Sequence, residues 1–219
     1  MRLIQITDTH LYGDADARLA GMDTRASLNA VLEQVQREPA FDALLITGDV
    51  SMDESAASYR WLQQRLLQVA LPTVVIPGNH DQAVLWPAAA GGFADTPHSL
   101  VEGKWQAHFF NTQVRGEPHG ELSAGSLEWL ASTLAEAPNA YHALFMHHPA
   151  LPVGSRWMDA MALHNAAQLW ALLSSHANVR LIVCGHVHQN FDAYHAGVRM
   201  LATPSTCVQF LPSAKTFAR

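Results

Sequence analysis

Short apolar runs alternate along the chain with longer stretches in which apolar residues recur every three or four positions. Residues 3–6, 43–46, 73–76, 143–146 and 181–184 are such runs, brief and largely branched, as strands buried on both faces require. Between them, Leu28, Val31, Leu32 and Val35 share one face of a helix predicted over residues 27–37. Tyr59, Leu62, Leu66 and Val69 do the same over 55–69, with Asp53 as the expected N-cap. Leu127, Leu130 and Leu134 predict a third helix that ends before Pro138, and a fourth is expected over 163–174. Residues 191–202, punctuated by Gly197, read as a hairpin. Strands alternating with helices imply an α/β architecture with helices covering the sheets. Residues 86–121 hold Pro and Gly clusters and one strand candidate, 105–111, and pattern alone does not fix their path. With no repeat, low-complexity tract or linker, a single domain over residues 1–219 is expected.

The polar residues just past each run carry the chemistry. The five runs lead into Asp8-Thr9-His10, Gly48-Asp49, Gly78-Asn79-His80-Asp81, His147-His148-Pro149 and Gly185-His186-Val187-His188. Ligands of open α/β sheets bind beyond the carboxyl ends of the strands, so five strands deliver metal-capable side chains to one edge. Singly, each has a bland reading: Asp49 as a turn residue, Asp8 as a cap, His147 and His148 as loop or core histidines. Together they point to a metal site. In extended backbone, residues two apart share a side, so Asp8 and His10 can grip one ion. His186 and His188 have the same separation, although a turn could aim them at two different ions. Glycines at 48, 78 and 185 let backbone and ligands crowd together. The candidates Asp8, His10, Asp49, Asn79, His147, His186 and His188 outnumber the about three protein ligands of a lone catalytic zinc. They suit two ions about 4 Å apart that share a carboxylate. Nitrogen and oxygen donors without Cys favour Mn, Fe, Zn or Co.

Composition removes competing classes. Hydrophobic residues make up 49% and charged ones 15% of 219 residues, which allows a sizeable core and excludes a disordered chain. The net charge of −6, without a basic stripe, argues against nucleic acid as a partner and gives a nuclease no electrostatic funnel. No run reaches the ~18 apolar residues of a membrane span, and the N-terminus lacks a signal-like stretch. With Cys184 and Cys207 as its two cysteines, the chain is expected in the cytoplasm. Thirteen His, as many as Lys and Arg combined, fit a metal and acid–base role.

Asp-x-His, Gly-Asp, Gly-Asn-His-Asp, His-x-Pro and Gly-His-x-His, in this order, resemble the calcineurin-like metallophosphoesterase superfamily. GEPHGELSAGSLEWL (116–130), MHHPALPVGSRWMD (146–159), LIVCGHVHQ (181–189) and LATPSTCVQF (201–210) are similar to its bacterial class III cyclic-nucleotide phosphodiesterases, the cyclic-AMP type. The resemblance implies a four-layer αββα sandwich with two mixed sheets. It implies one ion held by Asp8, His10, Asp49 and His188, and a second by Asp49, Asn79, His147 and His186, with Asp49 bridging. His80 would be the proton donor at the leaving oxygen, with Asp81 beside it, and His10, Asn79, His80 and His188 would lie closest to substrate phosphate. The implied activity is hydrolysis of a 3′,5′-cyclic nucleotide, cyclic AMP foremost, to the 5′-monophosphate by metal-activated hydroxide. Glycerophosphodiesters and 2′,3′-cyclic nucleotides need the same chemistry, and spacing does not select among these small-molecule diesters. A non-catalytic scaffold on this fold should have lost ligands that are all present here.

His148 is either a support for a ligand or structural, and His119 and Asn165 are candidates for the pocket lining. Cys184 fits an apolar strand. Similar proteins continue beyond the STCVQF segment through strands that complete the second sheet, whereas the tail SAKTFAR has no strand pattern. An incomplete sheet with an exposed edge is therefore expected, with the oligomeric state open and a homodimer among the options.

Overall fold

The apolar runs become strands of two sheets laid face to face. A computed structural model of the chain describes residues 1–38, 40–69, 72–82, 85 and 97–219. In the smaller sheet, β1 (Leu3–Ile6), β2 (Ala43–Thr47) and β3 (Thr73–Ile76) run parallel in the order β1-β2-β3. The larger sheet contains β4 (His98–Glu102), β5 (Trp105–Phe109), β6 (Tyr141–Phe145), β7 (Val179–Cys184), β8 (Phe191–His195) and β9 (Val198–Ala202), ordered β4-β5-β6-β7-β9-β8. Its four central strands are parallel and its two outer ones antiparallel. The larger sheet is therefore mixed as expected, while the smaller is parallel among the described residues. Each of its connections crosses over through a helix, which returns the chain to the same starting end.

Burial on both faces explains the unbroken apolar runs. In β2, Leu44 and Ile46 face α1 (Thr24–Arg37) and α2 (Ala56–Val69) together with Leu28, Leu32 and Leu62. Their neighbours Ala43 and Leu45, with Ile76 of β3, face the larger sheet, against Phe109, Phe145 and Val183. Outside the larger sheet, α3 (Ala124–Glu136) and α4 (Ala166–Leu173) bring Leu130, Leu134 and Leu169 onto Leu144, Ile182 and Met200. These contacts make four layers, helix–sheet–sheet–helix. No described helix is long and apolar enough to cross a membrane.

Some boundaries differ from the pattern because polar side chains set them. Asp23 Oδ1 accepts from Ala26 N at 2.9 Å and starts α1 at Thr24, three residues before the apolar face. Asp53 does not cap α2. Its carboxylate takes the Gly13 and Ser55 amides, and Ser55 Oγ accepts from Ser58 N at 3.2 Å instead. The strand candidate 105–111 ends at Phe109, and residues 86–96 lie outside the described residues. The expected hairpin is β8–β9, turned at Ala196 and Gly197, both at positive φ. Residues 203–219 add no strand; they fold over the carboxyl edge, where Thr206 N donates to Thr7 O and Phe210 N to His188 O.

A buried histidine pair ties β5 to β6. Ser99 Oγ lies 2.6 Å from His108 Nδ1, His108 Nε2 lies 2.8 Å from His142 Nδ1, and His142 Nε2 donates to Ala137 O at 3.1 Å. Burial, then the neighbouring His142, lowers His108 from 6.5 to about 4. A lowered value means the unfolded chain takes up this proton first. Its stability contribution is thus present above pH 6.5 and is lost as pH falls through the interval down to about 4. The urea midpoint should drop between pH 7 and pH 5, and less steeply in His108→Gln. An identical slope in the variant would assign the acid sensitivity to other groups.

Candidate metal centre

Parallel strands end at one edge of each sheet, and the two edges coincide. Asp8 follows β1, Asp49 follows β2, Asn79 follows β3, His147 follows β6 and His186 follows β7. The backbone there is not extended, contrary to the expectation from spacing. Asp8, His10, Asp49, His186 and His188 have φ of 53°, 41°, 52°, 70° and 48°. Non-glycine residues in this left-handed region cost about 1–3 kcal/mol each and persist where surroundings over-determine them. Here Asp8 N donates to Gly48 O at 3.0 Å, His10 N to Asp49 O at 3.0 Å, and His186 N to Asp8 Oδ2 at 3.0 Å. Gly48, at φ 101°, passes against the His147 ring, and a Cβ at Gly78 would collide with the Asp49 carboxylate. Neither position has room for a side chain.

The donor atoms fall into two groups that meet at one oxygen. In the first, His188 Nε2 lies 3.3 Å from Asp8 Oδ1 and 3.1 Å from His10 Nε2. The second has His147 Nε2 3.2 Å from His186 Nδ1. Asp49 Oδ2 stands between, 3.6 Å from His10 Nε2 and 3.4 Å from His147 Nε2. His186 and His188 therefore turn towards different groups. Two imidazoles on one ion, each about 2.0–2.1 Å away, hold their nitrogens roughly 3 Å apart, as both histidine pairs do. Tautomers are set from behind. His147 Nδ1 donates to Thr47 O at 2.7 Å and His188 Nδ1 to Val208 O at 2.7 Å, which turns both Nε2 atoms inward.

These residues fit a metal pair. Asn79 Oδ1, on the loop after β3, is buried without a hydrogen-bond partner. A buried polar atom left unpaired is costly, and an ion taken up by the cluster relieves part of that cost. Electrostatics agree. Burial raises the Asp8 carboxyl, but the adjacent His188 outweighs it and brings it to about 2. Burial lowers His10 to about 4 and, with the His147 charge, His186 to about 3, so both rings stay neutral and able to ligate.

His147 behaves in the opposite sense. Burial alone would lower it, but the Asp49 carboxylate pushes it up to about 9. Protonated His147 thus stabilises the metal-free fold fully below pH 6.5, and this is lost as pH rises through about 9. A metal must displace that proton. Mn²⁺ affinity of metal-depleted protein should rise with pH up to about 9, by about tenfold per unit for one proton. Calorimetry at pH 7.5 in buffers of different ionisation enthalpy should register proton release; its absence would mean His147 is already neutral.

Other expected site residues have separate places. His80 N donates to Asp49 Oδ1 at 2.9 Å, and its ring stands edge-on to His10 at 5.0 Å, facing the open cleft. Asp81, expected beside it as a catalytic partner, turns its carboxylate away towards neighbouring loops. Its carboxylate is occupied by the amides of Val50, Ser51 and Gly78 and by the Tyr59 hydroxyl at 3.1 Å. It therefore clamps the loops after β2 and β3. His148 holds Thr112 through Nδ1 at 2.8 Å while its ring packs 4.9 Å from those of His147 and His186. Asn165 is spent on the Leu122 backbone.

A cleft of about 310 Å³ opens on His10, Asp49, Asn79, His80, His186 and His188. Its far wall is apolar: Met52, Pro118, Trp157, Met161, Phe210 and Phe217, with Arg219 at the rim. Phe210 stacks on the His188 ring at 4.1 Å and 12°, and Trp157 and Phe217 meet Phe210 edge-on. Sequence reading missed this wall. Phe217 and Arg219 lie in a segment without periodicity, and the one signal was two aromatics in a polar tail.

Fold and site define a class: the chain belongs to the calcineurin-like phosphoesterase family, whose model matches residues 1–190. It is 40% identical to the 3′,5′-cyclic adenosine monophosphate phosphodiesterase CpdA of Escherichia coli (strain K12), over 99% of this chain and 80% of that protein. A second relative, the 3′,5′-cyclic-nucleotide phosphodiesterase alr5338 of Nostoc sp., is 37% identical over 99% of this chain and 82% of its own length. Among solved structures, a dimetal phosphatase from Danio rerio superposes with a TM-score of 0.69 at 12% identity, covering 93% of this chain and 87% of that one. That likeness concerns the fold.

Proposed function

We propose that this protein hydrolyses 3′,5′-cyclic nucleotides, cyclic AMP foremost, to the 5′-monophosphate. The observation that carries the reading is one carboxylate oxygen shared between two histidine groups, set at the mouth of an aromatic-walled cleft. Relatives with whole-chain identity of 37–40% bear cyclic-nucleotide phosphodiesterase names, which supports the same substrate class here. Asp8, His10, Asp49 and His188 would hold one ion, and Asp49, Asn79, His147 and His186 the other. The donor set suits Mn, Fe, Zn or Co. When bound, the pair supplies an acidified water and positive charge for phosphoryl oxygens.

The chain's own residues orient the reaction around that charge. Asn79 and His10 border the phosphate position. His80, hung by its amide on Asp49, holds a proton for the departing 3′-oxygen. Trp157, Phe210 and Phe217 offer flat apolar faces to a nucleobase and exclude water from one side. Glycerophosphodiesters carry nothing to fill such a wall. Two buried free thiols, Cys184 and Cys207, fit a reducing cytoplasm.

Turnover of cyclic AMP, cyclic GMP, 2′,3′-cyclic AMP and a glycerophosphodiester with Mn²⁺ tests this. Cyclic AMP should have the highest kcat/KM, and Phe217→Ala should raise its KM without matching loss on the glycerophosphodiester. A preference for the glycerophosphodiester would overturn the assignment.

A further inference from the structure

We propose that His119, Glu121 and His164 form a third cation site, apart from the dinuclear centre, for a borderline transition ion such as Zn²⁺. One donor atom from each lies within 4.8 Å of the other two. The two imidazoles stack with centroids 3.6 Å apart and planes 6° apart. Each ring has a partner on one side. His164 Nε2 donates to Ala160 O at 3.3 Å, and His119 Nδ1 faces Glu117 Oε2 at 3.7 Å. These contacts leave one nitrogen of each ring without a protein partner among the described hydrogen bonds. The free nitrogens are His164 Nδ1 and His119 Nε2. To meet on one ion the rings would turn out of their parallel stack about Cβ–Cγ, giving up the Ala160 and Glu117 contacts for the ion.

The frame is built before any ion arrives. Gly120 N donates to Ala162 O at 3.2 Å, and His164 N to Gly120 O at 2.8 Å. Asn165 then brackets Leu122, accepting from its amide at 3.0 Å and donating to its carbonyl at 2.8 Å. These bonds hold the two loops in register. Two imidazoles and a carboxylate make an N₂O set, the three-ligand complement that leaves zinc one position for water. Glu121 and His164 are exposed, so water and ions reach the site. Gly120 packs against the His148 ring and Pro118 lines the cleft, so an ion here would also restrain the loop beside the main centre.

Equilibrium dialysis against Zn²⁺ with elemental analysis, on the full chain already loaded at its main centre, provides the test. The protein should bind one more Zn²⁺ per chain than the His119→Ala/His164→Ala variant, whatever number the main centre holds. Glu121→Gln, which keeps both rings and the loop bonds, should weaken this last ion while leaving the others in place. Added Zn²⁺ should also raise the Tm of the loaded protein and leave that of the double variant unchanged. Equal stoichiometry in protein and double variant, with both folded by circular dichroism, would overturn the site. So would an extra ion whose affinity is indifferent to Glu121→Gln and to loss of either histidine.

Discussion

Asp49→Ala should strip the protein of both metal ions and reduce turnover by about 10³-fold or more, the scale of losing a preorganised electrostatic group. The reason is geometric. One carboxylate oxygen sits 3.6 Å from His10 Nε2 and 3.4 Å from His147 Nε2, while the other accepts the His80 amide at 2.9 Å. Removing the carboxylate separates the two donor groups and releases the turn that carries Asn79 and His80. His147, held protonated by Asp49, should lose its raised affinity for a proton. Asp49→Asn separates charge from shape, because the amide oxygen can still take the His80 N–H. It should keep the fold and still lose metal. Elemental analysis checks both variants, and a single tightly held ion with full activity in Asp49→Ala would sink the shared-ligand arrangement.

His80→Ala should keep both ions and lower kcat by about 10²–10⁴-fold, the contribution of a general acid. Its ring faces the cleft, and its place depends on its backbone amide, so truncation leaves Asp49 anchored. The loss should shrink on p-nitrophenyl phosphodiesters, whose leaving group needs little protonation. His10→Ala should instead weaken metal binding and regain part of its activity with added Mn²⁺. If His80→Ala loses metal as His10→Ala does, His80 is a ligand and the assigned roles are wrong. An equal loss on activated and natural diesters would assign His80 to phosphate binding.

Much of this site was legible because strand ends and metal donors leave separate marks in the chain. Runs at 3–6 and 73–76 match β1 and β3 residue for residue, since strands packed between layers are mostly apolar, here with Gln5 and Thr73 as the polar exceptions. The polar residues just past those runs had to meet, because parallel strands end together. Asp8 and His10 lie close, His10 Nε2 3.9 Å from Asp8 Oδ1, but by a different geometry from the one spacing suggests. Extended backbone was assumed, and the residues converge at positive φ, 53° and 41°, where neighbouring loops hold them. The sequence position of Asp81 beside His80 says nothing of its rotamer. The amides of Val50 and Ser51, 30 or more residues away, decide where it points.

The sequence by itself determined the α/β class, the strand edge at which function resides and the seven candidate ligands. Each comes from local periodicity or from residue chemistry, and neither needs to know what packs against it. Tertiary structure decided which histidine joins which group, because His186 and His188 differ in their partners 39 and 178 residues distant and not in spacing. It also decided the aromatic wall. Trp157, Phe210 and Phe217 come from a short helix, a loop and a tail without shared periodicity. Apolar side chains carry no label for the cavity they will line, and contact between segments with no common pattern is set by how the whole chain folds.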